Sequence, residues 1–96
     1  MRPHDDAVVE LLREDPAFAD EYLSAALDEA DQPGGCEALR AALRHIAEAQ
    51  GMAAVAESAG IPRESLYRAL SPTANPTIKT LLAVVGGAGL KLSVHR

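Results

Sequence analysis

Apolar side chains recur every three or four residues along most of the chain, which is the spacing of one helix face. In the first such run this face consists of Phe18, Tyr22, Ala25 and Ala26, widened by Leu23 and Leu27. The pattern predicts a helix from Asp15 to about Ala30. Asp15 is expected to cap its free amides, and Pro16 suits the first turn because no amide is missed there.

The same spacing predicts four more helices. They cover residues 36–50, 52–60, 63–70 and about 77–85. Residues 90–95 alternate apolar with polar side chains, which is typical of a strand, and such a strand needs a partner from another copy, another protein or the N-terminal segment. The apolar cluster in residues 1–14 is too short to predict a structure. We therefore treat residues 1–14 as an N-terminal arm and residues 15–96 as one domain.

Two of the predicted helices are short and flank a tight connection, which is the arrangement of a helix-turn-helix. Ala56 is small where the second helix must approach the first, and Gly60 can adopt the positive φ that a sharp turn requires. The polar face of the second helix consists of Arg63, Glu64, Ser65, Tyr67 and Arg68. From a helix lying in the major groove of DNA, such side chains reach base edges and phosphates. The alternative is a helical hairpin with a purely structural role.

Composition supports a helical fold. Hydrophobic residues make up 48% of the 96 residues, but only two tyrosines and one phenylalanine are aromatic. The core must therefore be aliphatic and rich in alanine, which favours helices, and the length suits a single domain. We predict an all-α fold, a compact five-helix bundle with a short C-terminal β-strand.

The net charge of −5 is divided unevenly along the chain. Residues 1–31 hold ten acidic residues and two arginines, whereas residues 32–96 hold four acidic residues and seven lysines and arginines. An acidic N-terminal part and a basic C-terminal part indicate two surfaces for two kinds of partner, because an electrostatic field acts locally. The alternative is chance clustering on a solvated surface.

Several function classes are not indicated by the sequence. No segment has the roughly 20 apolar residues of a membrane-spanning helix, and the acidic N-terminus does not resemble a signal peptide. We expect a cytoplasmic protein without membrane contact, which suits the lone Cys36. The three histidines lack a second ligand at metal spacing, and no catalytic or cofactor-binding motif is present. We therefore expect no enzyme activity, no metal, no cofactor and no small-molecule substrate.

Three segments, in this order, resemble the addiction-module antidote proteins. They are residues 15–27, residues 59–72, which include Ala59-Gly60-Ile61-Pro62-Arg63-Glu64-Ser65-Leu66-Tyr67-Arg68, and residues 75–94, which begin Asn75-Pro76-Thr77. The resemblance implies a phage-repressor-like helix-turn-helix and an antitoxin of a type II toxin–antitoxin system. Such a protein neutralises a small toxin of the RelE/ParE-like superfamily and represses the operon that encodes both.

The chain departs from the family pattern at three places. Pro62 stands where a capping serine or threonine is usual, so the second helix of the motif begins without a side-chain cap. Ala74 replaces a usual glycine of the loop. Gly86 and Gly87 weaken the end of the last helix.

The resemblance and the charge division together assign partners to residues. Arg63, Glu64, Ser65, Tyr67 and Arg68 are expected to contact double-stranded operator DNA. Lys79, near the start of the last helix, either holds a phosphate or is simply solvated. Because RNA-cleaving toxins are basic, the acidic helix is the expected toxin surface, with Asp20, Glu21 and Asp28 as contacts. Arg40 and Arg44, four residues apart, either touch a phosphate or are simply solvated.

The predicted active form is a homodimer, joined through the C-terminal strand or through a helix face. Two other functions stay open at this point. One is a stand-alone helix-turn-helix repressor without a toxin partner. The other is a protein-binding module that has lost DNA binding. The presence of a neighbouring gene for a small basic protein separates the first function from these.

Overall fold

A computed structural model describes the backbone of residues 3–93 and the side chains of residues 5–93. Within this range the chain forms six helices and no strand. The helices are α1 (Pro3–Glu14), α2 (Phe18–Asp28), α3 (Gly35–Gln50), α4 (Met52–Ala59), α5 (Arg63–Ala69) and α6 (Ile78–Gly87). The all-α prediction is confirmed, and the bounds of α3 to α6 lie within two residues of those predicted.

The predicted number of five helices is wrong because the N-terminal segment forms a helix of its own. Helix α1 packs on α3 and buries Val9 and Leu12, which are 5% and 3% exposed. These two side chains are three residues apart and so lie on one helix face. The acidic residues between and around them obscured this short apolar face in the sequence.

Helix α2 begins later than predicted, at Phe18 rather than Asp15. The amide of Phe18 donates to the Asp15 carbonyl at 3.0 Å, and the amide of Ala19 donates to the Pro16 carbonyl at 3.1 Å. The N-cap position is Ala17, which forms no side-chain cap. The prediction that the Asp15 side chain caps the helix is therefore wrong. Asp15 and Pro16 belong instead to a tight turn that joins α1 to α2.

The predicted C-terminal strand is also absent from its described part, residues 90–93, while Val94 and His95 lie outside the described residues. Leu90 belongs to the backbone cap that ends α6. Its amide donates to the Val85 carbonyl at 3.0 Å, and the amide of Gly89 donates to the Gly86 carbonyl at 3.0 Å. This pair of bonds across a glycine with φ of 78° is a Schellman motif. The alternating pattern therefore starts in a helix cap.

The core lies around α3, which packs against α1, α2 and α4. The largest fully buried side chains of the core are Leu43, Ile46, Val55, Leu66, Leu70 and Val84. Helix α6 approaches α4 closely at Gly87, where a Cβ atom would lie 2.8 Å from the Val55 carbonyl oxygen and 2.9 Å from the Ala59 Cβ. Gly87 thus allows α6 to pack against the first helix of the helix-turn-helix, and it is the last residue of α6.

A buried polar network joins the first three helices. The Tyr22 hydroxyl lies 2.7 Å from His45 Nδ1, and His45 Nε2 lies 3.0 Å from Asp5 Oδ1. A neutral imidazole with its proton on Nε2 satisfies both contacts, because Nδ1 then accepts from the tyrosine and Nε2 donates to the carboxylate. Burial raises the pKa of the Tyr22 hydroxyl above its ordinary value, and the charge of Asp5 raises this pKa further, whereas Arg44 lowers it.

Candidate nucleic-acid interface

The turn between α4 and α5 has the geometry that the sequence predicts. Gly60 has φ of 72°, in the left-handed region. Its amide donates to the Glu57 carbonyl at 3.2 Å, and the amide of Ile61 donates to the Ala56 carbonyl at 3.1 Å. This is a second Schellman motif, and it directs the chain away from α4 within one residue of the helix end. Ala56 is 3% exposed and belongs to the core.

Helix α5 starts directly after this turn. Pro62 is its N-cap, with an extended backbone (φ −62°, ψ 146°) and no side-chain cap. The Pro62 carbonyl accepts from the amide of Leu66 at 3.1 Å. The start without a side-chain cap is as predicted. Leu66 and Leu70, 0% and 1% exposed, hold the inner face of α5 in the core.

The outer face of α5 carries the predicted DNA-contacting side chains. Arg63, Glu64, Tyr67 and Arg68 are exposed, and Ser65 is half-buried. Tyr67 is 55% exposed, so the neighbouring helices do not cover it. Among the residues that the structure describes, no hydrogen bond or ion pair engages Arg63 or Arg68. Within the described part of the chain, both guanidinium groups are therefore available to bind phosphates or base edges.

Two arginines of α3 hold the C-terminal end of α5. Arg40 donates from Nε to the Ser71 carbonyl at 3.1 Å and from Nη2 to the Pro72 carbonyl at 2.5 Å. Arg44 donates to the Leu70 carbonyl at 3.5 Å, and its Nε lies 3.9 Å from Glu48 Oε1. Carbonyl groups at a helix end lack partners within the helix and carry partial negative charge, so cations stabilise them.

The sequence does not predict this role of Arg40 and Arg44. It indicates instead that both arginines touch a phosphate or are solvated. Their partners lie 26 to 32 residues away along the chain. The available signal was a helix ending at Leu70 with no basic side chain in the next few positions. The two arginines position α5 rather than projecting from the surface.

Beside α5, a cleft of about 670 Å³ lies between the helix-turn-helix and the loop that leads to α6. Arg68, Asn75 and Thr77 line it. Thr77 caps α6 by accepting from the Thr80 amide at 3.1 Å. Lys79 is exposed in the first turn of α6 but does not line the cleft with Arg68.

The loop adopts this shape without the glycine that is usual in the family pattern. The amide of Ala74 donates to the Ser71 carbonyl at 3.1 Å. In the described part of the chain, every residue with positive φ is a glycine. Ala74 therefore occupies a turn that any residue can form.

On its other side α5 faces acidic residues of α1. Asp6 and Glu10 line a second cleft of about 730 Å³ together with Arg63 and Tyr67. Arg63 therefore has carboxylates of α1 in its cleft, whereas the cleft that Arg68 lines contains no acidic residue.

The three residues predicted to contact a toxin all lie on α2. Asp20, Glu21 and Asp28 are exposed. Asp20 and Asp28 line a groove between α2 and residues 89–93, whereas Glu21 does not. None of the three lines a cleft that includes residues of α5. The acidic residues of α2 and the exposed residues of α5 thus line different clefts.

The comparison with known proteins identifies the family. A family model described as "probable addiction module antidote protein" matches residues 4–96. The chain belongs to this family. An uncharacterized protein of Haemophilus influenzae is 38% identical to this antidote-family chain over 78 residues, which is 81% of the chain and 80% of that protein. No solved structure matches this antidote-family chain.

The family match extends beyond the segments that carry the resemblance in the sequence. Those segments begin at residue 15, whereas the match begins at residue 4 and thus includes nearly all of α1. Within the residues that the structure describes, no helix of this antidote-family protein is long and apolar enough to span a membrane. The same residues contain no cluster of three or more potential metal ligands.

Proposed function

We propose that this antidote-family protein is a DNA-binding antitoxin that neutralises a small basic toxin of the RelE/ParE-like type and represses its own operon as a homodimer. The observation that carries the DNA part of the proposal is the outward face of α5. It presents Arg63, Tyr67 and Arg68 from a helix whose inner face is buried in the core, and neither arginine is engaged by another described residue.

An α-helix fits the major groove of B-DNA, where bidentate arginine contacts to guanine are the commonest specific readout. Arg68 is the strongest candidate for such a contact, because it is exposed and faces the cleft away from the acids of α1. Lys79, exposed in the first turn of α6, is a further phosphate contact in this proposal. Arg63 and Tyr67 suit phosphate contacts beside the groove.

Helix α6 supports the proposed dimer. Ile78 and Leu82 are 76% and 51% exposed and lie four residues apart, so they form one apolar stripe on the helix surface. The stripe carries no charge of its own and is therefore compatible with a second copy of itself. A single chain, with a longest dimension of 33 Å, contains one helix-turn-helix. A palindromic site with half-sites about 34 Å apart needs two.

The toxin part of the proposal rests on the family and on charge. Helix α2 contains three acidic residues and no lysine or arginine. A basic protein is attracted to such a surface, which raises its association rate and disfavours wrong partners. The acidic residues of α2 line no cleft together with α5, so a toxin bound to α2 need not compete with DNA for the same side chains.

The DNA-binding proposal is tested by a fluorescence anisotropy titration of the protein's own promoter duplex at fixed salt. Arg68→Ala is expected to weaken binding by about 1 to 3 kcal/mol if Arg68 reads a base. Lys91→Ala removes one exposed positive charge outside the helix-turn-helix and serves as the matched control, with unchanged affinity. Equal affinity of Arg68→Ala and the wild-type protein would contradict the proposal.

The toxin proposal is tested by co-expression with the neighbouring gene for a small basic protein. Growth arrest by that protein alone, relieved by this chain, is the expected outcome. Promoter binding without any toxic neighbour would favour a stand-alone repressor. Failure to bind promoter DNA, together with relief of growth arrest, would favour a protein-binding module.

A further inference from the structure

A groove of about 710 Å³ separates α2 from the segment that follows α6. Leu23 is buried in it, whereas Leu27 and Leu92 line it with 37% and 44% of their surface exposed. Lys91 to Ser93 form no backbone hydrogen bond within the described residues. The groove therefore combines apolar side chains with backbone donors and acceptors that no other described residue engages, and a bound polypeptide segment can use such groups.

The charge of the groove is unequal on its two walls. Asp20 and Asp28 line the α2 wall, and eight residues of helix place them about 12 Å apart. The facing wall contributes one positive charge, Lys91. The α2 wall is thus an apolar strip with a carboxylate near each end.

This combination selects among possible occupants. DNA is disfavoured because its phosphates would meet the two aspartates. A second copy of the chain is disfavoured because a symmetric contact would bring four aspartates together with only two lysines. A basic amphipathic segment satisfies both features, because its apolar side chains cover Leu27 and Leu92 while its cations approach Asp20 and Asp28.

We infer that this groove is the site where the protein holds its toxin, by binding a basic amphipathic segment with aliphatic side chains on one face. The inference rests on the proposed antitoxin function and deepens it. Because the groove shares no lining residue with the clefts beside α5, the segment and DNA occupy separate surfaces of the same protomer.

Two variants of the full-length protein test the groove. Leu27→Asp places a charge in the apolar strip, while Leu11→Asp makes the same change on α1, where Leu11 is 45% exposed and outside the groove. In co-purification with the toxin from the neighbouring gene, Leu27→Asp is expected to weaken retention roughly 10-fold or more, as loss of one buried leucine contact implies. Leu11→Asp is expected to retain the toxin like the wild-type protein.

A second pair of variants keeps the test decisive if Leu27→Asp unfolds, which circular dichroism reports. Asp28→Lys reverses a charge in the groove, and Glu37→Lys makes the same reversal at an exposed site outside it. Asp28→Lys is expected to release the toxin at several-fold lower salt, whereas Glu37→Lys is expected to behave like the wild-type protein.

A probe that does not depend on the toxin gene is an amphipathic peptide of leucine and lysine, titrated into the isotopically labelled wild-type protein. This peptide is expected to shift the amide resonances of residues 20–28 and 89–93. A control peptide of serine and lysine with the same charge is expected to leave these resonances unchanged. Shifts confined to α1, α3 or α5 would overturn the inference.

The outcomes separate the two proposals. Retention of the toxin by the wild-type protein and equally by Leu27→Asp and Asp28→Lys would overturn the groove assignment and leave the antitoxin function standing. A dimer that Leu27→Asp converts to a monomer would show that the occupant is a second copy and would also overturn the assignment. If the wild-type protein retains no toxin, the antitoxin proposal fails, and the groove assignment fails with it.

Discussion

The attachment of α5 to α3 through Arg40 predicts a mutation that affects stability and DNA binding together. Arg40→Ala removes two hydrogen bonds from a charged donor, at 3.1 Å to the Ser71 carbonyl and at 2.5 Å to the Pro72 carbonyl. Hydrogen bonds to charged groups contribute about 1.5 to 3 kcal/mol each. Ser71 is half-buried and Pro72 is exposed, so water replaces part of the loss. We expect the free energy of unfolding to fall by about 1 to 2 kcal/mol.

The assay is urea unfolding followed by circular dichroism, combined with the promoter titration at a temperature where both proteins are folded. A loss of about 1 kcal/mol lowers the melting temperature of a domain of this size by about 4 to 8 °C. DNA affinity is expected to fall because the C-terminal end of α5 loses its support. Arg63→Ala is the matched control, since Arg63 has no partner among the described residues. It should weaken DNA binding without lowering stability.

Two results would refute this reasoning. The first is an Arg40→Ala protein that unfolds at the same urea concentration as the wild-type protein. The second is Arg63→Ala lowering stability as much as Arg40→Ala, which would mean that Arg63 has a structural role that its exposure does not indicate.

Two further predictions follow from the packing. Gly87→Ala should destabilise the protein by about 1 to 3 kcal/mol, because the new Cβ would lie 2.8 Å from the Val55 carbonyl oxygen. Gly86→Ala, whose Cβ meets nothing within 4 Å, should gain about 0.5 to 1 kcal/mol from helix propensity. Equal melting temperatures of the Gly87→Ala and Gly86→Ala proteins would contradict these two expectations. Because the folded-state pKa of Tyr22 is raised, its contribution to stability is present below about pH 10, the ordinary tyrosine pKa, and is lost as the pH rises through the folded-state pKa. Urea unfolding should therefore show a steeper loss of stability above pH 10 for the wild-type protein than for Tyr22→Phe. If the free energy of unfolding falls with pH equally in both proteins, the raised pKa of Tyr22 is contradicted.

The sequence predicts the helices well where apolar spacing is regular. Helices α3 to α6 and the turn at Gly60 follow from local rules, because a positive φ and an apolar face are properties of neighbouring residues. The outward orientation of Tyr67 and Arg68 follows from the burial of Leu66 and Leu70 on the opposite face.

What the sequence does not predict depends on contacts between distant residues. Helix α1 is recognisable only once Val9 and Leu12 are seen packed on α3. Arg40 and His45 have polar partners 23 to 40 residues away, and no local pattern indicates such pairs. The C-terminal strand was predicted from alternation alone, but its first residue, Leu90, closes the end of α6. In each case a tertiary contact decides the role of the residue.

The central claim is that the outward face of α5 binds DNA, and the salt dependence of promoter binding tests it most directly. The wild-type affinity should fall steeply with salt, with a slope of about −0.9 in log K against log salt for each phosphate neutralised. Arg63→Ala, which removes a proposed phosphate contact, should make the slope shallower by about that amount for each subunit bound, and Lys91→Ala should not. A slope that is near zero, or that Arg63→Ala leaves unchanged, would contradict the account.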